Sequence, residues 1–252
     1  MTLEERSREL EQHIKEEHKQ SPFASYLKEI IYGGVDGIIT TFAVVAGFSG
    51  AALGGDATIE LTSMVVLLFG LANLFADGVS MGLGNFLSIR SDQSLYGHVR
   101  KKEEHETREN GDVEAEETVT ILMERGFIEA DARTITALYR KNPQYWVDFM
   151  MNNELQMPDP RGDHPVYGGL ATFFSFVSFG IIPLLPFLVF ESFTAKTLFE
   201  ISSFGTILAL VVLGLFKAEV VGGKTLRSVG EVVLVGGAAA LVAYIVGTFF
   251  AG

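Results

Sequence analysis

Five stretches of this 252-residue chain, 30–53, 61–89, 167–190, 198–216 and 229–250, contain no Lys or Arg, while almost all charge sits in residues 1–29 and 90–164. Each stretch is long enough to cross the ~30 Å hydrocarbon core of a bilayer at about 1.5 Å of rise per residue. Hydrocarbon offers no hydrogen bonds to an exposed backbone, so such spans must be helices. The segregation also explains how a mean hydropathy of +0.30 coexists with 20% charged residues. The predicted fold class is all-α: a polytopic membrane protein with five transmembrane helices and a helical domain inserted between spans two and three.

The charges also predict an orientation. Residues 1–20 are charged throughout and hold no apolar run of the kind a signal peptide needs, so the N-terminus is expected in the cytosol. Five spans put the N-terminal tail, the 90–164 insert and the 217–227 loop on one side, and that side carries every Lys and Arg except Lys196. By the positive-inside rule it is the cytoplasm, with Lys28, Arg90, Lys217, Lys224 and Arg227 as the flanking charges. The net charge of −12 argues against a nucleic-acid partner. With no cysteine, disulfides and thiolate sites are excluded, and any metal must be held by oxygen, imidazole or thioether groups.

The chain therefore divides into a cytosolic N-terminal helix (1–29), spans one and two (30–90), an acidic cytosolic insert (91–162) and spans three to five (163–252). Residues 51–60, with Gly54–Gly55 as breaker, read as a short outer loop. The second stretch would measure about 43 Å as a helix, more than the hydrocarbon thickness, and is expected to run on into the polar segment 90–110. Asn110–Gly111 should stop it and Asp112 should cap a helix that ends at Gly126. Further helices fit 129–141 and 143–156, the latter opened by Pro143 at a position that suits a first turn. Pro158, Pro160 and Gly162 mark a linker, and Pro183 and Pro186 should kink the third span. Two glycine patterns are decoys. Val221-Gly222-Gly223-Lys224-Thr225 has Ala218 where a phosphate-binding loop needs its first glycine, and Gly82-Leu83-Gly84 lacks the third glycine of a dinucleotide fingerprint. Gly78 and Gly82, four apart, are expected instead to let helices pack closely.

Ionisable residues inside a span are costly and mark function by default. The first span holds Asp36, with Thr40 one turn on. The second places Asn73, Asp77, Met81 and Asn85 at intervals of four, along one stripe of a helix. Oxygen and thioether donors together suit a borderline ion such as Fe²⁺ better than Ca²⁺ or Mg²⁺. The competing reading is that Asn73 and Asp77 bond across helices and Met81 fills a gap. In the insert, Glu103 with Glu106 and Glu114 with Glu117 stand three apart, where like charges repel unless a cation bridges them. Met150, Met151 and Glu154 add further donors. Against this stands a solvated acidic face in which Arg100, Lys101, Lys102 and Arg108 pair with Glu103 and Glu104. No Glu is followed three positions later by His, which weighs against a ferritin-like di-iron oxidase.

The run Asp36-Gly37-Ile38-Ile39-Thr40-Thr41-Phe42-Ala43-Val44-Val45-Ala46-Gly47 resembles the vacuolar iron transporter family. So do Gly70-Leu71-Ala72-Asn73-Leu74-Phe75-Ala76-Asp77-Gly78-Val79-Ser80-Met81-Gly82-Leu83-Gly84 and Trp146-Val147-Asp148-Phe149-Met150-Met151-Asn152-Asn153-Glu154. The resemblance covers nearly the whole chain. It implies a homodimer with its path between the two first spans, and proton-coupled export of Fe²⁺ from the cytosol. It carries metal and transport roles to Asp36 and Met81 in the membrane, and to Glu103, Glu106, Glu114, Glu117, Met150, Met151 and Glu154 in the insert. One departure stands out: plant-like members have a membrane glutamate where this chain has Asn73, so Asp77 one turn on is the candidate substitute.

The reading of the sequence is a divalent-metal/proton exchanger with no enzymatic activity and no prosthetic group, working among membrane lipid. Ferrous iron is the expected substrate, with Mn²⁺, Zn²⁺ or Co²⁺ as alternatives the ligand set admits. A carboxylate in a low-dielectric site can trade a proton for a cation, which suits Asp36 to both roles. A cell membrane is expected, with a vacuolar membrane as the alternative. Rival readings are a membrane-bound iron-oxidising enzyme and a metal sensor that does not transport.

Overall fold

A computed structural model describes Arg6 and residues 24–52, 59–190 and 193–250. The helix expected over 1–20 lies, apart from Arg6, outside the described residues, as do Gly54 and Gly55. Among the described residues there is no strand. The helices are α1 (Leu27–Ala52), α2 (Ile59–Glu109), α3 (Gly111–Glu124), α4 (Glu129–Tyr139), α5 (Pro143–Asn153), α6 (Pro165–Gly180), α7 (Leu185–Val189), α8 (Ala195–Val221) and α9 (Thr225–Phe250). Two compact units emerge: residues 1–85 with 166–252, and residues 86–165.

Among the described residues, four helices are long and apolar enough to cross a membrane: Ala24–Phe48, Ser63–Glu109, Pro165–Val189 and Ala195–Val221. The chain is a multi-pass membrane protein. The fifth apolar stretch is helical as α9, which packs with α1 and α8. Ile38, Ala209, Leu210, Leu213 and Val232 form the core between these three helices. A second cluster joins Val45, Val66, Leu74, Phe176, Leu184, Phe187 and Leu198. Large side chains such as Leu68, Phe75, Val79 and Leu83 stay exposed along α2, the pattern of a helix whose outer face meets lipid rather than water.

Close approach in this unit depends on small residues. A Cβ on Gly37 would fall 2.3 Å from the Phe176 carbonyl oxygen, and one on Gly82 would fall 2.9 Å from that of Gly169. In lipid, where apolar burial does not drive helices together, such backbone contact is a main source of association. The expectation for Gly78 and Gly82 holds, since a Cβ on Gly78 would press to 3.2 Å on Val177.

The prolines act as expected. α6 ends at Gly180, a 3₁₀ turn spans Ile182–Leu184, and α7 resumes at Leu185. Ser202 on α8 donates to the Pro183 carbonyl at 2.7 Å, so a neighbouring helix serves a carbonyl within the break. α8 is capped by Thr194, whose hydroxyl accepts from Thr197 N–H at 3.2 Å. It ends at Gly222, whose φ of +69° is the left-handed turn that glycine adopts without penalty.

The second unit is the insert. Pro143 opens α5 as predicted, and Asn142 caps it by accepting from Tyr145 N–H at 3.3 Å. The cap expected at Asp112 is not made. α3 already begins at Gly111, and the Asp112 carboxylate instead accepts from Arg140 at 2.9 Å. α4 stops at Tyr139 and α5 at Asn153, each short of its predicted end. Beyond α5, Gln156 takes a φ of +53°, which no helix can continue through. Val119, Leu122 and Ala132 pack one side of the insert, with Ile135 and Phe149 against them. Tyr96, Val147 and Met151 pack the other, with Val99 and Met157.

Candidate functional site

Three carboxylates of the insert converge. Glu103 on α2, Glu114 on α3 and Glu154 at the C-terminal cap of α5 each offer an oxygen, and all three oxygens lie within 4.8 Å of one another. Glu103 is 3% exposed and Glu114 7%, whereas Glu154 faces solvent. Burying one carboxylate beside another is unfavourable unless a proton or a cation intervenes. The Glu103 Oε1 atom is buried without a hydrogen-bond partner, an acceptor left for some positive group.

The electrostatics agree. The apolar part of α2 ends near Ile89, so these residues lie outside the apolar stretches. Burial, then the charge of Glu114, pushes the Glu103 carboxyl up to about 7. Burial, then Glu117, does the same to Glu114, also to about 7. Glu154 is raised by burial and by Glu117 and Glu106, with Lys102 opposing. Glu106 and Glu117 thus belong to the same acidic field, although Glu106 also pairs with Lys102 at 3.4 Å. The solvated-face reading expected cations on Glu103 and Glu104, and for Glu104 it holds. Arg100 pairs with Glu104 and, at 2.8 Å, with Asp148, whereas among the described residues no ion pair involves Glu103.

The two methionines are buried and differ in setting. Met150 Sδ lies 3.2 Å from the Thr118 hydroxyl, which accepts from Trp146 Nε1 at 2.8 Å and stands 2.8 Å from the Glu114 carbonyl. Met150 is thereby tied to the helix that carries Glu114. Met151 packs in the apolar cluster with Tyr96 and Val147. Sequence spacing found the glutamates through their neighbours on the same helix. It missed the Trp146–Thr118 bond and the Arg100–Asp148 pair, which join residues on different helices.

In the first unit, Asp36 is half-buried and near enough to Asp77 for the two charges to interact. The Thr40 hydroxyl turns back to donate to the Asp36 backbone carbonyl at 2.8 Å. Asn73 Nδ2 donates to Asp77 Oδ2 at 2.8 Å, within the helix rather than across helices. Asn85 crosses to the Thr172 hydroxyl at 2.9 Å. Met81 packs, partly buried, on the cluster of Phe176 and Leu74.

With this geometry in view, comparison with known proteins is decisive, because the sequence profile of the VIT family matches residues 27–248, nearly all of the chain. The chain belongs to the VIT family. It is 32% identical over 238 residues to the vacuolar iron transporter of Centaurea cyanus, covering 94% of this chain and 93% of that one. To the vacuolar iron transporter of Toxoplasma gondii it is 33% identical over 251 residues, covering 96% and 79%. Vacuolar iron transporter 1 of Arabidopsis thaliana matches at 32% over 235 residues, covering 92% and 90%. These relatives are named as transporters rather than enzymes.

Proposed function

We propose that this VIT-family member carries ferrous iron out of the cytosol in exchange for protons, with manganese as a competing substrate. The carrying observation is the convergence of Glu103, Glu114 and Glu154 from three helices, two of them buried and one with an unpartnered oxygen. Buried oxygens with a nearby thioether fit a borderline divalent ion. Met150 and Met151 stand beside the carboxylates in the sequence, and Met150 is held on Thr118, one turn from Glu114. Carboxyls held near pH 7 part with protons as a cation arrives, so the insert collects metal at cytosolic pH. Glu106 and Glu117 supply the surrounding negative field.

Five helices cross the membrane in this reading, α9 being the fifth, with the N-terminus and the insert in the cytosol. Asp36 serves as ion ligand and proton acceptor, Asp77 takes the place of the glutamate that Asn73 replaces, and Met81 favours Fe²⁺ over Mg²⁺. Thr40 and Asn73 hold the adjoining polar atoms. Two copies form the transporting unit. The test is Fe²⁺ entry into proteoliposomes under reducing conditions, with and without an imposed pH gradient, while lumenal pH is recorded. Uptake against a counterflow of protons, lost in Asp36→Ala, is the expected result. Sealed vesicles that admit neither Fe²⁺ nor Mn²⁺ would overturn it in favour of a sensor, or of an oxidase if the detergent-solubilised protein consumes oxygen with iron.

A further inference from the structure

One ion pair ties α5 to α2 close to the carboxylate cluster. Arg100 stands one turn before Glu103 on α2, and Asp148 stands two residues before Met150 and six before Glu154. Arg100 Nη2 donates to Asp148 Oδ1 at 2.8 Å, while Nη1 donates to Glu104. The Arg100 side chain is only 14% exposed, and its Nε has no partner. Arg161, from the connection after α5, approaches the same Asp148 oxygen to 3.9 Å. It also lies over the Tyr96 ring, 5.5 Å from the centroid, and pairs with Asp159 at 2.5 Å. Gln93 donates to the carbonyls of Pro160 and Asp163, at 3.1 and 2.9 Å, fastening the same connection to α2.

The cluster needs such a fastening. Glu154 sits at the end of α5, where its own N–H bonds back to Met150, and it is exposed. Its helix meets α2 through Tyr96, Val147 and Met151, apolar contacts that resist separation but set no direction. A slip of one residue along α5 turns its side chains by about 100° and carries Glu154 away from Glu103. A guanidinium bonded to a carboxylate is directional and forbids that slip. Because Glu104 and Asp148 both face Arg100, the fastening brings in a cation whose charge is already matched.

We propose that Arg100 and Asp148 are positioning residues of the metal site, fixing the rotation and height of α5 so that Glu154 and Met150 meet Glu103 and Glu114. The inference rests on the reading that this cluster takes a divalent cation. The test uses the full chain in detergent, with Mn²⁺ as probe and the free ion followed by electron paramagnetic resonance. Variants are Asp148→Asn, Arg100→Gln, their combination, and Asp148→Glu. Trp146, the one tryptophan, reports the packing of the insert.

Each neutral single variant should weaken Mn²⁺ binding about tenfold, the scale of losing a residue that orients a metal ligand. Trp146 emission should not move. The combined variant should be about as weak as the weaker single one, because the Arg100–Asp148 bond is already lost in each. Asp148→Glu should recover most of the affinity. Single variants that bind like the parent chain, losses that multiply in the combination, or a red-shifted Trp146 in every variant would overturn the positioning role. A parent chain that binds no Mn²⁺, or one indifferent to Glu154→Gln, would overturn the metal-site reading and this inference with it.

Discussion

The metal-free insert should lose stability as pH rises from about 4.5 to about 7.5, and the perturbation that exposes this is Glu103→Gln. Glu103 and Glu114 move from an ordinary 4.5 to about 7 on folding. Between those values the folded state binds more protons than the unfolded chain, so stability is full below the lower value and declines through the upper one. A shift of that size on one group corresponds to about 3 kcal/mol. Because the charge of Glu114 is itself among the causes of the Glu103 shift, the two shifts are not added, and one group's worth is the appropriate scale. For a unit of this size it amounts to a fall of roughly 10 °C or more in the melting midpoint. Glu106, Glu117, Glu154 and Lys102 complete the field around the pair. The assay is thermal unfolding followed by Trp146 fluorescence in chelator, which reads the insert and leaves the membrane helices silent. Glu103→Gln, an uncharged mimic of the protonated form, should raise the midpoint at pH 7.5 and flatten most of the pH dependence. A midpoint in the parent chain that is constant or climbs over this range would refute the reasoning.

Three further outcomes follow from the same structure. Saturating Mn²⁺, at about a hundred times its Kd, should stabilise the insert by about 2.7 kcal/mol at pH 7.5, as a higher Trp146 midpoint, and do little at pH 5, where protons hold the site. Gly37→Ala should cost at least 1–3 kcal/mol and show as reduced folded yield on size exclusion, because its Cβ would sit 2.3 Å from the Phe176 carbonyl; Gly84→Ala, with nothing within 4 Å, should be neutral. Met151→Ala should destabilise the insert by about 2–5 kcal/mol through the cavity it leaves, read as a lower Trp146 midpoint, whereas Met151→Leu should cost less than about 1.5 kcal/mol.

What could be read from the sequence is what a single helix decides. Pro143 at a first turn and the break at Pro183 follow from the ring and the missing N–H, which act locally wherever the chain goes. The placing of Asn73 and Asp77 on one stripe follows from the period alone. Whether Asn73 reaches along its helix or across to another depends on rotamers, and the bond to Asp77 stays within α2. Asp112 was a sound cap by type, yet the helix began one residue earlier and Arg140, far along the chain, claimed its carboxylate. Arg100 was near enough to serve Glu103 or Glu104 in sequence. It serves Glu104 and Asp148, a choice set by the packing of α5 on α2. Helical spacing finds neighbours on one helix, while a site that draws on α2, α3 and α5 is assembled by contacts between helices.

The two polar constellations differ in how their acidic oxygens are satisfied, and that difference bears on the proposed division of labour. In the membrane unit, Asn73 already donates to Asp77 and Thr40 to the backbone beside Asp36, so part of the polarity is served before any ion arrives. Hydrocarbon makes a bare carboxylate cost a few kcal/mol, which favours such local donors. In the insert, Glu103, 3% exposed, keeps an unpartnered oxygen among four other glutamates. That oxygen is buried, and Arg100, one turn away on the same helix, is turned to Glu104 and Asp148. Only a proton or a metal can then relieve the cluster, and near pH 7 the proton is held loosely enough to give way. In the proposed division of labour a transporter that must concentrate a scarce cation and then let it go would gain from that arrangement: a collecting site whose affinity is set by exchange with protons, and a membrane path in which the Asp77 carboxylate already accepts from Asn73 and so would hold a passing ion less tightly.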